Sequence, residues 1–379
     1  MNTIDPTHIN LSVQYISDNG YPVEAYWVTT NDGYILYLVR IPFGRDGNND
    51  QKRPPVLIMH GLLSSSQDWV AYGRNRSLPL FCVDNGYDVW LGNYRGAPGS
   101  VNHTLLDPQK DAEKFWDISF NELGVYDLPA LIDFILEKTG EEKLFYIGHS
   151  QGGTTFFVMA SELPAYNGKI RLASLLASVT EISNPTNGWL IAVAKFWRPL
   201  WEIIRFLRIY EIPISNLNRF FGKLLCFRSE SVPELCRKFL FLLNAYDVQG
   251  QLTPDILPDI FNNFPGSASL TQVFHILQFY DSHRWQKFDY GPNENLRRYG
   301  SPRPPAYNIS SATSPIAYYH SSYDFFTNSK DAEDFAKTIP NLVLFYTVPY
   351  RRFNHIDFVI GKDVIPLLYD KMIDTMMRF

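Results

Sequence analysis

Short apolar runs, bounded by glycine, proline or polar turns, recur along the first half of this chain. Tyr26–Thr30 and Tyr34–Ile41 flank Asn31-Asp32-Gly33, which predicts two strands joined by a tight turn. Pro55–Met59 and Tyr87–Leu91 are apolar almost throughout, the pattern of strands buried on both faces. The first runs into His60-Gly61-Leu62-Leu63, the second into Gly92-Asn93-Tyr94-Arg95-Gly96. The period then changes: Leu128, Leu131, Ile132 and Ile135 line one face of a helix over Leu128–Lys138. Lys143–Ile147 returns to strand character, and Gly153–Ala160 can open another helix. Leu172–Val179, Ile316–Tyr319 and Val343–Val348 complete the strand series. An antiparallel start followed by alternating strand and helix predicts an α/β fold, a mostly parallel central sheet flanked by helices.

The alternation fails between about Ser183 and Pro305, a stretch that holds Trp189, Trp197, Trp201, Pro254, Pro258 and Pro265. We expect a helical cap or lid over residues 183–307, inserted into a core made of residues 1–182 and 308–379. Within it Lys195, Arg198, Glu202 and Arg205 recur at helical intervals, with Trp, Phe, Ile and Leu around the rest. Such a segment can contact lipid or roof an acyl pocket. It fits equally well a helix pair packed on the core with a kink at Pro199.

Composition narrows the class. A 379-residue chain with 45% apolar and 15% aromatic residues can bury a large core and line an apolar pocket. A net charge of −5 gives no reason to expect nucleic acid as a partner. The most apolar stretch, Trp189–Tyr210, carries Lys195, Arg198, Glu202, Arg205 and Arg208, so no transmembrane segment is expected. Met1–His8 has no basic start followed by an apolar core, so no secretory signal is visible. Cys82 reads as a buried thiol; Cys226 and Cys236 are near enough to close a small loop, though spacing alone proves no disulfide. Sequons stand at Asn10, Asn75, Asn102 and Asn308. Sequons and cysteines together point to the secretory pathway.

Candidate chemistry centres on Gly148-His149-Ser150-Gln151-Gly152, which follows one predicted strand and precedes a helix. Strand, G-x-S-x-G, helix is the nucleophile elbow of α/β-hydrolases: a sharp turn lifts the serine hydroxyl clear of the sheet. Serine hydrolysis requires a base and a carboxylate to orient it, in the chain order Ser, acid, His. His8, His60, His103 and His149 precede Ser150, and His275 and His283 fall in the cap. His320 follows a strand where the acid is expected, which leaves His355 as the base. Asp324, just beyond Ile316–Tyr319, is the preferred acid; Asp331 is the fallback and Asp357 lies too close to His355. The oxyanion needs fixed N–H donors, assigned to Gln151 after the nucleophile and to Leu62 in the earlier loop. No metal or organic cofactor is implied, because this chemistry needs none.

Taken in order, His60-Gly-Leu-Leu-Ser-Ser-Ser-Gln-Asp-Trp69, Gly86-Tyr-Asp-Val-Trp-Leu-Gly-Asn93, Tyr126-Asp-Leu-Pro-Ala130, the elbow and Asn354-His-Ile-Asp-Phe358 resemble the acid lipase family, which includes gastric and lysosomal acid lipases. The resemblance spans nearly the whole chain. It implies an α/β-hydrolase core with a helical lid and a serine lipase that hydrolyses neutral-lipid esters, triacylglycerols or cholesteryl esters, at a lipid–water interface. It supports Ser150, Asp324 and His355 as the triad and makes Cys226–Cys236 an expected bridge. The signal peptide typical of that family is not visible here, so the expectation of a secreted or lysosomal protein rests on the sequons and cysteines. The chain departs from the family pattern at Gly92-Asn93-Tyr94-Arg95-Gly96-Ala97 and at Ser322-Tyr323-Asp324 and Asn328, which bears on substrate preference more than on reaction type. A carboxylesterase for short soluble esters is the near alternative, and a non-catalytic lipid carrier a distant one.

Overall fold

The computed structural model describes residues 11–47, 51–212, 250–263 and 266–379. The strands are β1 Glu24–Thr29, β2 Ile35–Ile41, β3 Pro55–Met59, β4 Asp88–Gly92, β5 Leu144–His149, β6 Ile170–Leu176, β7 Ile316–His320 and β8 Leu342–Thr347. They form one sheet in the order β1-β2-β4-β3-β5-β6-β7-β8. β2 pairs antiparallel with both β1 and β4, and every later pairing is parallel. Asn31-Asp32-Gly33 makes the expected turn, with Gly33 at φ 99° and its N–H donating to Thr30 O. β6 stops at Leu176, three residues short of the expected Val179. Ala177 takes a left-handed conformation, φ 48°, and turns the chain out of the ladder.

Alternate residues of each central strand feed two separate cores, one on each face of the sheet. Leu57 and Met59 of β3 pack with Leu131 and Ile135, whereas Val56 and Ile58 pack with Leu80, Phe358 and Met372. The helices that shape the site are α1 Leu78–Asp84, α2 Leu128–Thr139, α3 Gln151–Glu162, α4 Gly188–Lys195, α5 Trp197–Phe206, α6 Leu270–Ser282, α7 Pro292–Tyr299 and α8 Ser329–Ala336. Cys82, in α1, is a fully buried free thiol, and burial pushes its pKa well above the usual range. Cys226, Cys236 and Asn10 lie outside the described residues.

Four of these helices, α4 to α7, occur between β6 and β7. α4 and α5 are separated at Phe196, not at Pro199 as expected. Proline lacks an N–H, and the first turn of α5 is where a helix leaves N–H groups unbonded, so Pro199 costs little there. α5 has two distinct sides. Trp197 and Trp201 are buried, Trp201 within 5.2 Å of both Phe274 and Phe288. Leu200, Ile203 and Phe206 are bare, Phe206 at 86% exposure. Arg198 and Arg205 tie the helix down through Asp289, at 2.9 Å, and Glu113, at 2.8 Å. Packing on the core and an exposed apolar face therefore coexist on one helix. No helix among the described residues is long and apolar enough to cross a membrane.

Candidate active site

The C-terminal ends of the parallel strands converge on Ser150. β5 ends at His149, the chain reverses at Ser150 with φ 52° and ψ −114°, and α3 begins at once with Gln151. A non-glycine residue held at positive φ stores strain that its surroundings must override. Here the neighbours are glycines because nothing larger fits. A Cβ on Gly148 would lie 2.6 Å from the Gly152 backbone, and one on Gly152 would lie 2.7 Å from Met59 O. Ser150 N–H donates to Leu176 O at 2.8 Å and anchors the elbow to β6.

Ser150 Oγ lies 2.8 Å from His355 Nε2, and His355 Nδ1 lies 2.9 Å from Asp324 Oδ2. Asp324 Oδ1 accepts the N–H groups of Phe326, at 2.7 Å, and Thr327, at 3.0 Å, which leaves Oδ2 to the imidazole. All three side chains are buried. Asp331 is elsewhere: it accepts the backbone N–H of Asn184 and pins that segment to α8. Three other histidines are occupied as well. His275 stacks on Phe120 and bonds Gln286 O at 2.9 Å, His283 bonds Ile182 O at 2.7 Å, and His320 bonds Thr347 Oγ1 at 2.7 Å.

Leu62 and Ser150 line one cavity of about 200 Å³, whose walls include Val179, Leu190, Ile276, Leu277, Phe326 and Val359. Gly61 lets the loop approach closely; a Cβ there would sit 3.2 Å from Ser150 Cβ. Gln151 is the first residue of α3, so its N–H has no acceptor within the helix. A larger cavity of about 600 Å³ lies beneath α5, but it excludes Ser150, and arginine–carboxylate pairs run through its walls.

Three polar residues that the sequence did not single out hold the loop after β3. His60 accepts Tyr94 N–H at Nε2, at 3.2 Å, and its Nδ1 lies 2.8 Å from Gly61 O. Burial lowers its pKa to about 4, so the ring is neutral. Asn93 accepts Ser66 N–H and donates to Tyr37 O and Ser66 Oγ. Asp68 accepts Ser64 Oγ–H at 2.6 Å, Ser65 N–H at 3.1 Å and Tyr72 O–H at 3.1 Å, and burial raises its pKa to about 6. For His60 and Asn93 the signal available in the sequence was weak, a polar residue directly after a strand, and Asp68 had not even that.

Comparison with known proteins agrees with this fold. The family model for the alpha/beta hydrolase fold matches residues 54–358, and that for a partial alpha/beta-hydrolase lipase region matches residues 12–73. Lipase 3 of Drosophila melanogaster is 36% identical over 373 residues, covering 96% of this chain and 92% of that protein. Gastric triacylglycerol lipase of Homo sapiens is 34% identical over 368 residues, 96% and 90% of the two chains. Among solved structures, a putative lipase from Sulfolobus solfataricus superposes with a TM-score of 0.55 over 94% of this chain and 99% of that one, at 16% identity, a likeness of fold alone. The chain belongs to the α/β-hydrolase family, in the branch that these lipases form.

Proposed function

We propose that this protein is a serine lipase that hydrolyses neutral-lipid carboxylic esters, triacylglycerols foremost, through an acyl-enzyme. The observation that carries this reading is the unbroken chain from Asp324 through His355 to Ser150, opening into an apolar cavity. Ser150 Oγ–H donates to His355 Nε2, so Oγ can attack the ester carbonyl carbon as its proton passes to the imidazole. Asp324 accepts from Nδ1–H, which fixes the tautomer and stabilises the imidazolium. The N–H groups of Leu62 and Gln151 are our assignment for the oxyanion hole. The imidazolium returns its proton to the leaving alcohol oxygen. His355 then deprotonates water, which attacks the acyl carbon and frees the carboxylic acid and Ser150.

Residues 183–307 serve in this reading as a cap over the core formed by residues 1–182 and 308–379, since Leu190, Ile276 and Leu277 roof the cavity. The bare side of α5 gives the cap a surface for an aggregated lipid. Asn75 and Asn308 are exposed as glycan acceptors must be, which supports a secreted or lysosomal location. Hydrolysis of emulsified long-chain triacylglycerol, compared with a dissolved short-chain ester, tests the function. We expect faster turnover on the emulsion, and Ser150→Ala to lower kcat by roughly 10⁴-fold or more on both. Faster turnover of the soluble ester with no gain at an interface makes the protein a carboxylesterase, and undiminished activity in Ser150→Ala removes Ser150 as nucleophile.

A further inference from the structure

His149, excluded as the base because it precedes Ser150, is buried directly beside the base. Its ring centre lies 6.2 Å from that of Trp69, 6.3 Å from that of Phe358 and 4.9 Å from that of His355. Its Nε2 is 2.8 Å from the backbone carbonyl oxygen of His355. A carbonyl can only accept, so Nε2 carries the proton and Nδ1 is the bare nitrogen. Nδ1 lies on the Gly61 side, where a Cβ on that glycine would come within 3.2 Å. Consecutive residues of the elbow thus grip the base at two points. Ser150 meets the imidazole at 2.8 Å, and His149 meets the main chain of the same residue at 2.8 Å.

We propose that His149 is a positioning residue for ester hydrolysis, whose Nε2–H fixes the backbone of His355 so that the imidazole stays aligned on Ser150. Attack geometry is demanding, and a displacement of about 1 Å can cost roughly 100-fold in rate. A ring contact alone would let the His355 loop slide; a hydrogen bond to its carbonyl does not. The charge state of His149 suits the task. Burial, then the neighbouring His355, lowers its pKa to about 3, with His60 acting in the same direction and Asp324 opposing. The donor is therefore neutral and takes no part in moving the reaction's protons.

The inference rests on the reading of Ser150 and His355 as nucleophile and base. His149→Gln and His149→Met test it, being alike in length but differing in the terminal N–H donor; the glutamine Nε2 reaches about as far from the backbone as that of histidine. With a dissolved short-chain ester, we expect His149→Met to lower kcat about 10- to 100-fold with KM within about twofold, and His149→Gln to recover most of the loss. Thermal melting identifies any variant that does not fold. If the glutamine and methionine variants fold and are equally impaired, or neither differs from the parent, the positioning role is overturned. Ser150→Ala measured alongside separates the two failures, because full activity there overturns the nucleophile itself.

Discussion

Asp68 keeps a carboxylate where water barely reaches, and the consequence is a pH dependence of stability. Its folded-state pKa of about 6 stands above the ordinary aspartate value of about 3.8, so between these values the folded chain holds a proton that the unfolded chain releases. Raising the pH through this window therefore favours unfolding, and the cost of burying the charge is fully present above about pH 6. Asp68→Asn keeps an acceptor for Ser64 and Ser65 and turns a donor toward Tyr72. We expect the melting temperature of Asp68→Asn, relative to the parent, to rise from pH 4 to about pH 6 and to level off by pH 8. A difference that is flat across that range would show that the carboxylate is not paying a burial penalty. The same residue shows what the sequence hides. An aspartate three residues after a serine reads as part of a helix cap, which it also is, since it closes a capping box with Ser65. Its place against the catalytic cavity depends on Tyr72 and on the path of the loop, and no local pattern records those. His149 was hidden for a related reason: chain order ruled it out as a base, but order carries no information about which side chain braces the base.

Elements whose form follows from local chemistry were legible. The central strands were visible because burial on both faces leaves them almost wholly apolar, and the elbow because Gly148 and Gly152 are each demanded by contacts under 3 Å. Chain order then picked out Asp324 and His355, the two side chains that the structure links to Ser150, since β5 to β8 lie side by side in sequence order along the sheet. The helices between β6 and β7 were less legible. Amphipathic spacing cannot separate a face packed on protein from a face left bare, and α5 has both. That bare face carries a prediction. Burying a large apolar side chain contributes about 1.5–3 kcal/mol, so Ile203→Ser with Phe206→Ser should weaken adsorption to an emulsion by roughly 10-fold or more. Turnover of a dissolved short ester should be unchanged in the same variant. An equal fall on both substrates would mean that the helix supports the site instead of contacting lipid.

Across the whole molecule, Arg95 joins parts of the fold that no sequence pattern links. Its guanidinium is 1% exposed, bonds Asp127 at 2.6 Å and Asp32 at 2.6 Å, and lies 3.9 Å from the centre of the Tyr34 ring. The β1–β2 turn, the loop after β4 and the approach to α2 are thereby fastened at one point. Burial raises the pKa of Asp127 more than Arg95 lowers it, which leaves it at about 6. Removing Arg95 leaves the Asp127 charge buried without a counterion, so Arg95→Met should cost about 3–5 kcal/mol of stability in denaturant unfolding. Arg95→Met combined with Asp127→Leu should regain much of it, because the buried charge then leaves with its partner. A double variant no more stable than the single would show that packing around Arg95, and not its charge, matters.

The contact between Ser150 and His355 spans 205 residues of chain. Closing a loop of that length brings no reward until nearly every intervening strand has found its neighbour, and contacts of high sequence separation slow folding. Chemistry thus comes last in the life of each new chain. A partly folded molecule with a well-formed sheet still lacks a base opposite its serine, so it cannot cleave esters before its architecture is complete.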